Sequence, residues 1–174
     1  MQKPMNGLWF RLMALEYSMK TDEDLQAHVL DDAGIRAGMT VVDFGCGPGR
    51  YTIPAARLVG AEGEIHAVDV HPLAIRMTER AAVVAGLKNI KTVRSDCATG
   101  IPSGSIDVVL LYDALHDVED RDAVLGEIRR VLKSGGRIAY RDHSLQGEEL
   151  RSLMRANGFS VSDESPTQTL FAKC

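Results

Sequence analysis

Val41-Val-Asp-Phe-Gly-Cys-Gly-Pro-Gly49 joins a short apolar run to an acid and then to three glycines at alternate positions. The run from residue 39 to Phe44 predicts a buried parallel strand, and we expect Pro48 in the first turn of the helix that follows. Alternate glycines let the backbone adopt positive φ and let a ligand approach it closely. The stretch therefore predicts a strand, a ligand-binding loop and a helix.

The spacing of these glycines bears on the kind of ligand. A dinucleotide-binding Gly-x-Gly-x-x-Gly pattern would place its third glycine at position 50, where this chain has Arg50. The third glycine comes one position earlier, at Gly49. The pattern therefore argues against a loop that holds a pyrophosphate.

Acidic residues follow three further predicted strands. Asp69 closes the apolar run 65–70, Asp96 follows the strand predicted at 90–93, and Asp113 follows the strand predicted at 107–112. Taken alone, an acid at a strand end usually caps the next helix, and this is the simpler interpretation of both Asp69 and Asp96. The carboxyl ends of neighbouring parallel strands lie at one edge of a sheet, so we expect these acids and Asp43 to converge there.

Taken in order, these features resemble the class I S-adenosylmethionine-dependent methyltransferases. The segment 43–49 resembles the family's first motif, and segments 114–120 and 130–136 resemble its signature after the fourth strand. Ser134 departs from the family, in which a proline is commoner before the glycine pair. The resemblance implies S-adenosyl-L-methionine as cofactor and S-adenosyl-L-homocysteine as product. It covers residues 39–141, and within the family it is nearest to the small-molecule, quinone- and menaquinone-like branch.

The resemblance also implies roles for individual residues. Asp69 would accept both ribose hydroxyls, Asp96 would face the adenine amino group, and the Cys97 backbone N–H would bond a ring nitrogen. The complete set of expected cofactor contacts is Asp43, Gly45, Cys46, Gly47, Gly49, Asp69, Val70, Asp96, Cys97, Tyr112, Asp113 and Tyr17. The three cysteines form no Cys-x-x-Cys pair, so we expect no metal site.

Two histidines are candidates for acid–base chemistry. A sulfonium methyl group is already activated, so the protein mainly positions the reactants, but a neutral acceptor must still lose a proton. His116 follows the fourth predicted strand and His143 the fifth. For His116 a structural or cofactor-shell role outweighs catalysis, whereas for His143 a general base and a solvated loop residue are weighted equally.

Alternating strand and helix patterns predict the α/β class. We expect a Rossmann-like, seven-stranded, mostly parallel sheet with helices on both faces. A helix is predicted at 120–133, a turn at 135–136 and the fifth strand at 136–141. The last two strands have no helix between them and must pair antiparallel. The resemblance implies that the last strand is reversed and inserted between its neighbours.

Composition limits the organisation and the partners. The chain has 174 residues, 45% of them hydrophobic, and a formal net charge of −4. We expect a single methyltransferase domain over 1–174, with N-terminal helices or a lid at 1–35 and a cofactor-binding core at 36–174. The acidic balance disfavours nucleic acids. No membrane span or cleavage pattern is evident, and the cysteine usage favours the cytoplasm.

Three functions stay open at this point. The first is methyl transfer to a small-molecule acceptor by in-line displacement. The second is a non-catalytic or partner-dependent cofactor-binding subunit, with the apolar segment 8–20 as an interface instead of a lid or a permanently packed helix. The third is an NAD-dependent oxidoreductase, which Arg50 and the antiparallel ending disfavour. A homodimer is compatible with any of them.

Overall fold

The computed structural model describes residues 23–174, which form one sheet and the helices packed on it. Its strands are β1 (Thr40–Phe44), β2 (Glu64–Asp69), β3 (Ile90–Arg94), β4 (Ile106–Tyr112), β5 (Leu132–Arg141), β6 (Phe159–Glu164) and β7 (Thr169–Lys173). Its α-helices are α1 (Glu23–Asp32), α2 (Thr52–Val59), α3 (Pro72–Val84), α4 (Arg121–Val131) and α5 (Gly147–Ala156), and a 3₁₀ turn spans Leu115–Asp117.

The seven strands lie in the order β3-β2-β1-β4-β5-β7-β6. Strands β1 to β5 pair parallel, whereas β7 pairs antiparallel with both β5 and β6. The short connection 165–168 between β6 and β7 cannot hold the crossover that a parallel pair needs. The expected seven-stranded, mostly parallel sheet with an inserted, reversed last strand is confirmed.

Apolar side chains on both faces of the sheet form two core layers. Along β4, Val109 and Leu111 pack with the layer that includes Ile128 of α4. Val108 and Leu110 point the other way and pack with the layer that α1 and α2 cover. Both faces of the central strands are therefore buried, which explains why these strands appear in the sequence as continuous apolar runs.

The first helix after β1 begins later than expected. Helix α2 starts at Thr52, and Pro48 lies in the preceding turn, so its expected place in the first helical turn is wrong. The flanking Gly47 and Gly49 have φ of +53° and +90°. Residues with left-handed φ cannot belong to a right-handed helix, so the helix begins only after Gly49.

The region between α4 and β5 also differs from the sequence interpretation. Helix α4 ends at Val131 and β5 begins at Leu132, so the helix predicted to 133 and the separate turn at 135–136 are wrong. Leu132 pairs with Ile106, and pairing with β4 resumes at Arg137 after an irregularity. A Cβ on Gly136 would lie 2.9 Å from the Ile106 carbonyl oxygen, so this glycine lets the irregular segment lie close against β4.

The expected N-terminal helix or lid at 8–20, and Tyr17 within it, lie outside the described residues. Among the helices that are described, none has the length and apolar character needed to cross a bilayer.

Candidate functional site

The glycine loop after β1 is fastened to β2 by its backbone. The amides of Gly45 and Cys46 both donate to the carbonyl of Val68, at 2.8 and 3.0 Å. The Gly47 amide donates to the Asp69 carboxylate at 2.9 Å, and its carbonyl accepts a hydrogen bond from the Thr78 hydroxyl at 3.1 Å. The loop is therefore held in one conformation by its neighbours on β2 and α3.

Two glycines of this loop are required for different reasons. Gly45 has φ of +81°, and a Cβ there would lie 2.5 Å from the Cβ of Ala114. Gly47 also has positive φ, but a Cβ there would meet nothing within 4 Å. Gly45 thus allows close packing against the segment after β4, whereas the space beside Gly47 is open to a ligand.

Asp43 anchors the start of α2. Its carboxylate is buried and accepts a hydrogen bond from the Thr52 hydroxyl at 2.5 Å. Burial raises the pKa of Asp43 to about 6, against the lowering effect of that hydrogen bond. The side chain therefore ties the end of β1 to the first residue of the next helix, across the glycine loop.

Asp69 lies at the end of β2 and receives two backbone hydrogen bonds. One oxygen accepts from Gly47, and the other accepts from the His71 amide at 2.7 Å. Burial raises the pKa of Asp69, although these two amides oppose the shift. His71 itself caps α3 through its ring nitrogen, which accepts a hydrogen bond from the Leu73 amide at 3.0 Å.

The end of β3 forms a compact turn next to Asp69. The Ser95 amide donates to the Asp69 carbonyl at 3.2 Å, and the Cys97 amide donates to the Ser95 hydroxyl at 3.2 Å. Asp96 and Cys97 are both partly exposed in this turn. The structure thus places Asp43, Asp69, Asp96 and Asp113 at the ends of four adjacent strands, in the spatial order 96, 69, 43, 113.

Two Asp–His pairs connect the segment after β4 with the segment after β5. Asp113 accepts from the backbone amide of His143 at 3.2 Å and lies 3.1 Å from its Nδ1. Asp142 lies 2.9 Å from Nδ1 of His116. Each segment therefore contributes the acid of one pair and the histidine of the other, and the two imidazole rings meet edge to face with centroids 4.6 Å apart.

The two pairs differ in exposure and electrostatics. The His143 side chain is 68% exposed, whereas Asp142 is fully buried and His116 is 19% exposed. The hydrogen bond with Asp113 raises the pKa of His143. Burial works against ionisation of Asp142, but hydrogen bonds from the Ser144 amide and the His116 ring outweigh it and lower the pKa of that carboxyl.

A ring nitrogen of His116, a ring nitrogen of His143 and a carboxylate oxygen of Asp142 lie within 4.8 Å of one another, a spacing at which they could bind a metal ion. In both histidines Nδ1 is already paired with a carboxylate. If these carboxylates are ionised, Nδ1 carries the hydrogen and Nε2 holds the lone pair in the neutral ring. The His143 ring is thus oriented with a basic Nε2, whereas Nε2 of His116 lies 3.5 Å from an oxygen of the Asp117 carboxylate.

Tyr112 and Cys46 are buried, so neither is a freely exposed contact. The Tyr112 hydroxyl donates to Gln168 on the loop before β7 at 2.6 Å, and its ring packs edge to face against Tyr51. Burial raises the pKa of both the Tyr112 phenol and the Cys46 thiol.

Sequence reasoning missed several residues that complete this region: Thr52, Thr78, Arg141, Asp142 and Gln168. Thr52 follows Asp43 at a distance typical of a strand, loop and helix start, so a search for hydroxyls at the helix start could have found it. Thr78 and Gln168 carry no sequence signal, because their partners come from elements distant in the chain.

Comparison with known proteins agrees with this geometry. A family model described as a methyltransferase domain matches residues 35–170. The chain belongs to this family of S-adenosylmethionine-dependent methyltransferases.

Among individual relatives, the chain is 31% identical to the ubiquinone/menaquinone biosynthesis C-methyltransferase UbiE of Marinomonas sp. over 127 residues, which are 72% of this chain and 51% of that protein. It is 36% identical to the aklanonic acid methyltransferase DauC of Streptomyces sp. over 59% of this chain and 47% of that protein. The chain thus spans about half the length of the curated relatives it matches.

A solved structure shares the fold over nearly all of both chains. It is a SAM-dependent methyltransferase from Aquifex aeolicus, with a TM-score of 0.75 and 22% identity, and the match covers 91% of this chain and 95% of that one. The family assignment removes the NAD-dependent oxidoreductase from consideration.

Proposed function

We propose that this protein transfers a methyl group from S-adenosyl-L-methionine to a small-molecule acceptor. The observation that carries the proposal is the open glycine loop, which is hydrogen-bonded to Asp69 and lies next to the paired histidines after β4 and β5. The names of two relatives, which refer to quinone biosynthesis and to aklanonic acid, support a small molecule as the acceptor.

The cofactor would bind along the ends of β1, β2 and β3. Nothing would obstruct a group beside Gly47, and the Asp69 carboxylate keeps lone pairs available for two adjacent hydroxyls after its backbone contacts. Asp96 would face the base, and the Cys97 amide would exchange its bond to the Ser95 hydroxyl for one to a ring nitrogen. Val70 follows Asp69 at the same edge. Gly49, Cys46, Asp43 and Tyr112 would shape the floor of the site.

When bound, S-adenosylmethionine supplies a sulfonium-activated methyl group that is displaced in line. His143 would take the proton of a neutral acceptor at Nε2, because Asp113 holds the other ring nitrogen. The same carboxylate stabilises the resulting imidazolium. His116, less exposed and held by Asp142, would keep the His143 ring oriented through their edge-to-face contact.

We also propose that residues 1–174 form a single domain and work in the cytoplasm without a metal ion. The single sheet with its two core layers supports the first point, and the three free cysteines suit a reducing compartment. Full methyl transfer after extensive treatment with EDTA would agree with the absence of a metal, whereas activity restored only by an added divalent ion would contradict it.

The decisive experiment incubates the protein with a metabolite extract and S-adenosylmethionine that carries an isotopically labelled methyl group. Labelled product that depends on the protein is the expected result. A protein that binds S-adenosylhomocysteine in a thermal-shift assay but labels nothing would support the alternative, a non-catalytic or partner-dependent cofactor-binding subunit. Stabilisation by neither cofactor form would contradict both interpretations.

A further inference from the structure

A cavity of about 510 Å³ lies beyond the carboxyl end of β5, on the side away from the glycine loop. The start of α5 and the connection before β7 form its other walls. Its volume falls within the range of small-molecule sites. Most of its lining belongs to three segments, 140–143, 146–150 and 165–169.

Arg141, the last residue of β5, lines this cavity. Its Nη1 is shielded from solvent and has no hydrogen-bond partner among the described residues. A guanidinium nitrogen in that position is costly to the free protein, because its desolvation is not repaid by a hydrogen bond. Arg141 therefore brings to the wall of the cavity a guanidinium whose hydrogen-bonding capacity is not filled within the described residues.

The acids that border the cavity are already engaged by other side chains. Asp113 pairs with His143, and Asp142 pairs with His116. The nearby Tyr112 hydroxyl donates its hydrogen bond to the side-chain oxygen of Gln168. Within residues 23–174, no carboxylate lies within ion-pair distance of Arg141. Arg141 therefore lines the cavity without an ion pair to either of the acids that border it.

We propose that this cavity is the acceptor site and that the acceptor carries a carboxylate or a similar oxyanion, which Arg141 binds. The proposal rests on the proposed methyltransferase function, and it names the substrate class for that site. The planar guanidinium matches two oxygens of one carboxylate. Arg141 and His143 are two positions apart at the end of β5, and both line the cavity, so an anchored acceptor would lie beside the proposed base.

The test uses two probes of nearly the same shape, 3-phenylpropionate, which carries a carboxylate, and 3-phenylpropionamide, in which a neutral amide replaces it. Ligand-detected NMR titrations measure their affinities in the presence of S-adenosylhomocysteine. We expect the native protein to bind the acid about tenfold more tightly than the amide. Arg141→Gln should abolish that preference, and Arg141→Lys should retain part of it, since a lysine keeps the charge without the two-pronged geometry.

Arg137→Gln is the matched control, because Arg137 lies on the same strand and the same face, near the middle of β5, and does not line the cavity. This variant should keep the tenfold preference. Thermal unfolding of each variant with and without S-adenosylhomocysteine reports folding and cofactor binding separately. Equal binding of acid and amide by the native protein, or a preference that survives Arg141→Gln, would overturn the proposal.

Two further outcomes separate this proposal from the proposed function. If Arg141→Gln weakens S-adenosylhomocysteine about tenfold and leaves the probe preference intact, Arg141 serves the cofactor, and only the acceptor proposal fails. If the native protein binds no S-adenosylhomocysteine but still prefers the acid, the methyltransferase proposal fails and the anion site stands.

Discussion

The proposed cofactor side of this site and the proposed acceptor side are built by different means. Around the glycine loop, backbone amides of Gly45, Cys46 and Gly47 make the contacts, and the side chains mostly stay out of the way. Beyond β4 and β5, the contacts join side chains that lie 26 and 30 residues apart. A site made of backbone needs only glycines and a well-placed acid, whereas a site made of side chains needs two loops brought together by the fold.

The largest expected effect tests the role of bare backbone on the cofactor side. Gly45→Ala would place a Cβ 2.5 Å from the Ala114 Cβ at a φ of +81°, so we expect a loss of about 2–4 kcal/mol in unfolding free energy. Gly47→Ala is the matched control, with open space around its Cβ, and should cost about 1 kcal/mol. Denaturant unfolding measures both. Equal losses would mean that packing against Ala114 is unimportant.

The pH dependence of the unfolding free energy tests the burial of Asp43, next to the glycine loop. Its pKa rises from 3.8 when unfolded to about 6 when folded, so the folded state holds the proton more tightly. The stability contribution of the protonated carboxyl is complete below about pH 4 and is lost as the pH rises through 6. We expect the unfolding free energy of the native protein to fall by up to about 3 kcal/mol relative to Asp43→Asn across this window.

Denaturant titrations of both proteins at several pH values between 4 and 8 measure that difference. Thr52→Val supplies a second comparison, because removing the hydroxyl that stabilises the ionised carboxylate should carry the decline to higher pH. A stability difference between the native protein and Asp43→Asn that is constant over the window would contradict the buried-carboxylate account.

Asp69 tests whether the backbone-built side binds the cofactor. Asp69→Ala removes both the expected acceptor for the ribose hydroxyls and the tether of Gly47, so we expect about 100-fold weaker binding of S-adenosylhomocysteine. Glu64→Ala, at the opposite end of the same strand, should leave that affinity within about twofold. Isothermal titration calorimetry measures both. Unchanged affinity in Asp69→Ala would remove the proposed cofactor site.

The smallest expected change concerns the side-chain-built half. Asp113 holds the pKa of His143 above its usual value, so Asp113→Asn should lower that pKa and move the acid limb of the kcat/KM profile to lower pH. Asparagine tolerates the φ of +47° found at this position, so the loop should keep its shape. A pH–rate profile with the acceptor from the labelled extract makes the measurement. An unmoved limb would exclude His143 as the base.

The fold was predictable because its signals are local. The sheet was predictable from its continuous apolar strands and from the glycines at the turns. The reversed last strand was predictable because the connection between the last two strands is too short for a crossover, and the structure confirms both. The start of α2 was misplaced, because Pro48 suits both a helix start and a turn. The placement of Asp43, Asp69, Asp96 and Asp113 at adjacent strand ends followed from the parallel topology.

The acceptor side was predictable only in part. His116 and His143 were identifiable as polar residues after strands, but nothing in their spacing indicates which acid each would pair with. Which acid pairs with which histidine depends on how far the loops after β4 and β5 lie along the strand direction, and the β4–β5 register sets that position. In the sequence, Arg141 is a charged residue at the end of a strand and nothing more. Its place in the cavity lining and its unpaired Nη1 depend on the folded structure.

Contact between Gly45 and Ala114 limits how this enzyme family member can be redesigned. The Ala114 methyl group lies against the bare backbone of Gly45, so a larger residue at position 114 would displace the glycine loop that we propose as the cofactor site. Engineering toward new acceptors should therefore keep a small residue at position 114. The residues to vary are those of α5 and of the connection between β6 and β7, because they line the cavity and no residue of the glycine loop does.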